Sequence, residues 1–65
     1  MQIANGDYIV ADNDGADFIG KAYAVEDGEV GFLVSGEVYT AEVADAKEAG
    51  TIDGTTVWRV ADYDS

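Results

Sequence analysis

Fourteen aspartate and glutamate side chains are the most abundant reactive groups in this 65-residue chain. Asp12, Asp14 and Asp17 crowd around Gly15, which raises the question of a calcium loop. An EF-hand loop takes acids at its first, third and fifth positions, glycine at the sixth and glutamate at the twelfth. Setting Gly15 at the sixth position puts Asp12 and Asp14 at the third and fifth. It also puts Val10 at the first and Lys21 at the twelfth, where neither can ligate. The segment therefore reads as a polar turn between strands, with weak divalent-ion binding as the lesser alternative. A carboxylate pair could act as acid and base on a glycoside, but that needs a cleft that keeps one carboxyl protonated. A chain this short has little material for such a cleft.

Histidine and cysteine are both absent. The usual pairings that activate a nucleophile are thus missing, as are thiolate and imidazole metal ligands. The two serines, Ser35 and Ser65, fall in a turn and at the last position. Gly28-Glu29-Val30-Gly31 lacks the third glycine and the basic residue of a phosphate-binding loop. These residues predict no catalytic site, no cofactor and no metal. They predict a protein that acts by binding other proteins.

The carboxylates face only Lys21, Lys47 and Arg59, for a formal net charge of −11. Direct nucleic-acid binding would lack the counterion release that drives it, and an anionic membrane surface repels the same charge. A solvated acidic surface suits solubility or a saline habitat. The sharper alternative is a DNA mimic whose carboxylates imitate phosphates and occupy a nucleic-acid enzyme. Apolar residues make up 48% of the chain, which argues for a folded domain. No run approaches the length of a membrane span, and the start lacks the features of a secretory signal.

The elements that must position these groups are short strands. Asn5-Gly6, Asp27-Gly28 and Asp53-Gly54 suit type I′ hairpin turns, and Asp14-Gly15 and Ser35-Gly36 are further turn candidates. Between them lie five strand-like runs at residues 8–11, 18–25, 29–34, 37–42 and 55–61. In the second run Ile19, Lys21, Tyr23 and Val25 share one face, and Phe18, Gly20, Ala22 and Ala24 share the other. Gly20 and the alanines predict close packing against another backbone. Residues 44–49 contain helix formers before Gly50 and predict at most one short helical turn. The expected fold is a single all-β domain over residues 1–65, a small five-stranded barrel or sandwich of SH3-like or decoration-protein-like form. Residues 62–65 are expected to fray. Phe32 and Trp58 read most simply as core aromatics, with an interface anchor as the alternative for Trp58. Tyr8, Tyr39 and Tyr63 are expected to be half-exposed, and Lys21 and Arg59 to be ion-paired at the surface.

The order of segments resembles the capsid decoration, or cement, proteins of tailed bacteriophages. The resemblance spans roughly residues 7–61. It rests on Phe18-Ile19-Gly20-Lys21-Ala22-Tyr23-Ala24, then Gly31-Phe32-Leu33-Val34-Ser35-Gly36-Glu37-Val38-Tyr39, then Asp53-Gly54-Thr55-Thr56-Val57-Trp58. Members of that family are usually longer and often carry an N-terminal arm, so this chain would be a compact, knob-like version, and its acidity would suit a marine phage. The resemblance implies a viral structural protein made in the host cytoplasm and bound to the capsid exterior. Its partners would be the major capsid protein lattice and further copies of itself, with no nucleic acid and no membrane. The candidate partner-binding residues are Met1 and Ile3, which precede the first strand with little core to join, together with Tyr39 and Trp58.

With so few cations among the acids, self-repulsion should dominate the electrostatics of folding. Raising sodium chloride from about 0.15 M to about 1 M shortens the screening length from roughly 8 Å to roughly 3 Å. The thermal midpoint should rise over that range in a calorimetric or circular-dichroism melt. A flat or falling midpoint would show that other charge interactions outweigh the repulsion.

Overall fold

The computed structural model describes residues 3–13 and 15–64. Six strands follow one another along the chain: β1 (Tyr8–Asn13), β2 (Ala16–Glu26), β3 (Glu29–Val34), β4 (Glu37–Glu42), β5 (Lys47–Ile52) and β6 (Thr55–Val60). A single 3₁₀ turn, Val43–Asp45, separates β4 from β5. Three of the hairpin loops have two residues with positive φ at both, namely Asp27-Gly28, Ser35-Gly36 and Asp53-Gly54. This is the type I′ geometry, whose twist matches that of the strands it joins. Asn5-Gly6 departs from the expected hairpin. There the amide of Asp7 donates to the carbonyl of Ala4 at 3.1 Å, and only Gly6 has positive φ. That is a type II pattern, and it folds the leading residues back instead of joining two strands.

All six strands form one open mixed sheet in the order β4-β3-β2-β1-β6-β5. Every neighbouring pair is antiparallel except β1 and β6, which run parallel with Ile9 opposite Trp58 and Ala11 opposite Val60. With no helix to cover it, the sheet can bury a face only by curling around it. Six strands about 4.8 Å apart would make a slab near 24 Å wide and only about 10 Å thick if flat. The molecule instead measures 26 × 25 × 21 Å. The chain beyond β6 reaches the far edge of the sheet, where Asp64 and Thr40 exchange backbone hydrogen bonds of 2.7 and 2.8 Å. The enclosed core contains Ile9, Ala11, Ala22, Val30, Phe32, Val34, Ala41, Trp58 and Val60, with Ile3 packed among them.

Gly20 makes this curl fit. A Cβ there would overlap the backbone carbonyl of Leu33 and come within 2.8 Å of Val34 Cγ2. The close approach expected of the Gly20 face is thus realised against β3. Ala24 leaves that face, because a bulge between Ala22 and Ala24 shifts the register so that Val25 packs on the core instead. An extra residue on one strand bends it and increases its twist, which is what a curled sheet requires.

Three expectations need correction. The sheet has six strands, not five. Residues 47–49, the second half of the expected helical segment at 44–49, instead open β5, because the Asp53-Gly54 turn aligns that strand with the edge of β6, where ladder hydrogen bonds override a modest helix propensity. The tail through Asp64 is not frayed, since Tyr63 packs against the core and Asp64 bridges to Thr40.

Gly20→Ala should cost about 1–3 kcal/mol, the usual penalty of overpacking a tight site. In a domain of this size each kcal/mol lowers the melting temperature by roughly 4–8 °C. A melt of the variant beside the parent measures it, and an unchanged midpoint would mean that β3 yields without strain.

Candidate functional site

The candidate partner-binding residues do not form one surface. Ile3 is 4% exposed and Trp58 6% exposed, both inside the core cluster. The expectation that Ile3 has little core to join is therefore corrected. The type II turn at residues 4–7 folds Ile3 back onto the core. Met1 lies outside the described residues. Asp7 holds this arrangement in place, its Oδ2 accepting hydrogen bonds from the Ala4 amide at 2.9 Å and from Trp58 Nε1 at 3.0 Å. Tyr39 is half-buried and stacks on Phe32, with ring centres 5.8 Å apart, while Tyr63 meets both rings edge-on. The Tyr39 hydroxyl donates to Glu37 at 2.9 Å. That bond, assisted by partial burial and the negative charge of Glu37, raises the phenol above its ordinary range.

The chemistry at the surface lies on the opposite, outward face of the sheet. Cross-strand register places Val38, Leu33, Lys21, Tyr8, Val57 and Gly50 in one row from β4 to β5. Ile19 and Tyr23 flank this row on β2. Ile19, Tyr23, Leu33 and Val38 are 43–53% exposed, large apolar groups left in water. Val10 and Val57 are buried outside the core cluster and give this face an apolar base.

All three cations of the chain share this face, since Arg59 pairs in register with Val10 and Lys47 with Arg59. Arg59 makes a two-point contact with Asp17, 3.1 Å at its shorter limb. Both partners are about half exposed, so the pair adds little stability. Lys21 sits 5.3 Å from the centre of the Tyr8 ring, a cation–π contact where an ion pair was expected. The carboxylates of this face lie at its two ends, Asp12 and Asp17 at one and Glu26, Glu29 and Glu42 at the other. Its middle is apolar with Lys21 at the centre.

A second feature runs along the outer edge of β4. Glu29, Glu42, Asp45, Asp62 and Asp64 line an open groove of about 400 Å³ beside Tyr63. Among the described residues, no group of three or more acids is placed to hold a metal ion. The two-residue periodicity of β2 already placed Ile19, Lys21 and Tyr23 on one face. Leu33 and Val38 were missed because which face of β3 and β4 turns outward depends on pairing that the sequence does not display.

Asp7→Ala separates local bonding from net charge. Removing one of fourteen acids should stabilise the chain if repulsion alone mattered. Losing the acceptor of two hydrogen bonds, one from the part-buried Trp58 indole, should instead destabilise it by about 1–3 kcal/mol. Denaturant midpoints of parent and variant decide the sign, and a higher midpoint for the variant would show that the Asp7 bonds count for less than its charge. The chain matches no protein-family model, and no curated protein or solved structure shows significant similarity to it.

Proposed function

We propose that this protein is a structural docking module without catalytic activity, and that the outward face of its sheet is the docking surface. The observation that carries this reading is the exposed apolar group of Ile19, Tyr23, Leu33 and Val38 in the middle of one face. Contiguous exposed apolar surface marks interaction sites, and interface centres are poor in charge. The segment order that resembles capsid cement proteins supplies the partner: a repeated site on the major capsid protein lattice of a tailed phage, met on the virion exterior. Such a protein needs a rigid fold and one complementary patch, because many copies on a shell add up individually modest contacts. The outward carboxylates would keep decorated particles from adhering to nucleic acid or to one another.

A second reading draws on the groove at β4, where five carboxylates converge. Carboxylates in that density are what a DNA-mimic inhibitor of a nucleic-acid enzyme would present.

Co-sedimentation of purified protein with capsid shells stripped of decoration tests the first reading. The parent should bind, and Leu33→Asp, outside the core, should bind about thirtyfold more weakly while keeping its circular-dichroism spectrum. Equal binding by the variant would move the interface elsewhere. A parent that never sediments with shells but inhibits a restriction or repair nuclease would replace the decoration reading with the mimic.

A further inference from the structure

We propose that the partner of the outward face presents an apolar protein surface with one carboxylate at its centre, and that Lys21 is the residue that recognises this acid. The inference rests on the docking reading above and adds the partner's chemistry to it. Lys21 lies in the middle of the exposed apolar group. It pairs with Leu33 on β3 and Tyr8 on β1, and Ile19 and Tyr23 stand two residues to either side on its own strand. The Tyr23 ring extends over Gly31, where its Cζ and hydroxyl would stand 3.0 and 3.1 Å from an added Cβ. Glycine at that point leaves room for the ring to lie along the sheet, so the apolar cover continues from β2 onto β3.

Among the described residues Lys21 has no carboxylate partner, and the one salt bridge joins Arg59 to Asp17. The cross-strand row through Lys21 carries no acid from Val38 to Gly50. Neither does the row of Ile19, Val10, Arg59 and Lys47 on one side, nor Thr40 and Gly31 on the other. The outward acids of β2 are Asp17, four residues away, and Glu26, five residues away. Along a strand these separations are about 13 and about 16 Å, too far for a four-carbon stem to span. The Tyr8 ring, 5.3 Å from Nζ, steadies the ammonium without neutralising it.

Burial decides what the partner must offer. In the free protein Lys21 is exposed, so water solvates its charge. A partner that covers Ile19, Tyr23, Leu33 and Val38 removes that water, and a charge taken out of water is costly unless an opposite charge meets it. A neutral acceptor satisfies a hydrogen bond and leaves the charge uncompensated. A carboxylate ringed by apolar side chains meets both the ammonium and its surroundings. Nucleic-acid phosphates do not, because they bring a row of charges against a chain of net charge −11. That net charge makes the inference discriminating. It favours cationic partners over the molecule as a whole, and only a local site reverses the preference.

Titration of isotope-labelled protein with three capped peptides, acetyl-Leu-Glu-Leu-amide and its Gln and Lys counterparts, tests the chemistry by NMR without any capsid. The glutamate peptide should shift the amides of residues 19–23, 33 and 38. It should bind there about fivefold more tightly than the lysine peptide, the strength of a partly exposed ion pair. Lys21→Met, which keeps the apolar stem and removes the charge, should abolish the preference, and Lys21→Glu should reverse it. Circular dichroism checks that each variant folds. A glutamine or lysine peptide that binds this face as well as the glutamate peptide overturns the inference. So does a preference that survives Lys21→Met, or the absence of any binding at this face. Stripped capsid shells separate the inference from the reading it rests on. Shells that bind the parent about tenfold or more tightly than Lys21→Met support both. Shells that bind the two equally overturn the inference and leave the docking reading intact. Shells that bind neither overturn the capsid partner, and the peptide result then decides the chemistry of the face.

Discussion

A single sheet with nothing to cover it must supply its own interior, and the rest of this structure follows from that constraint. The sheet curls until β4 and the chain beyond β6 touch at Thr40 and Asp64. The curl requires β2 and β3 to approach more closely than side chains ordinarily permit, which is why Gly20 lies against the Leu33 carbonyl. The bulges in β2 and β5 add the local bending that regular ladders resist. The parallel pairing of β1 with β6 joins the two ends of the chain, so the core is closed by contacts distant in sequence.

Charge is arranged around that framework. The core contains no buried polar or charged side chain among the described residues. Carboxylates instead gather at hairpin turns, at strand ends and in the groove beside Tyr63, where water solvates them. Asp7 is the exception with a structural role, because its carboxylate ties the leading turn to the Trp58 indole. The three cations collect on the outward face beside the exposed apolar residues. The molecule thus has an acidic periphery and one face where a partner surface could be desolvated at lower electrostatic cost.

The surface proposed for function offers side chains, namely Ile19, Tyr23, Leu33 and Val38 around Lys21. A thin core with neither disulfide nor metal ligands of the thiolate or imidazole kind makes docking onto a partner a natural source of added stability.

The all-β class, the hairpin turns and the core aromatics were legible in the sequence. Asp27-Gly28 and Asp53-Gly54 favour positive φ at both positions through local chemistry alone, and Ser35-Gly36 realises the same turn. Phe32 and Trp58 are buried as the large aromatics of apolar, β-branched runs, an expectation that needs only residue type. Tertiary structure decided the rest. Residues 47–49 favour a helix by propensity but join a strand because β6 presents an open edge to them. Ile3 lies in the core because a turn at Gly6 folds it back over a sheet that only the complete chain can curl. Asp64 is ordered because β4 lies beside it, although the two are far apart in sequence. The exposed face is decided in the same way: Leu33 and Val38 point outward only once Phe32, Ala41 and Trp58 have taken the inside.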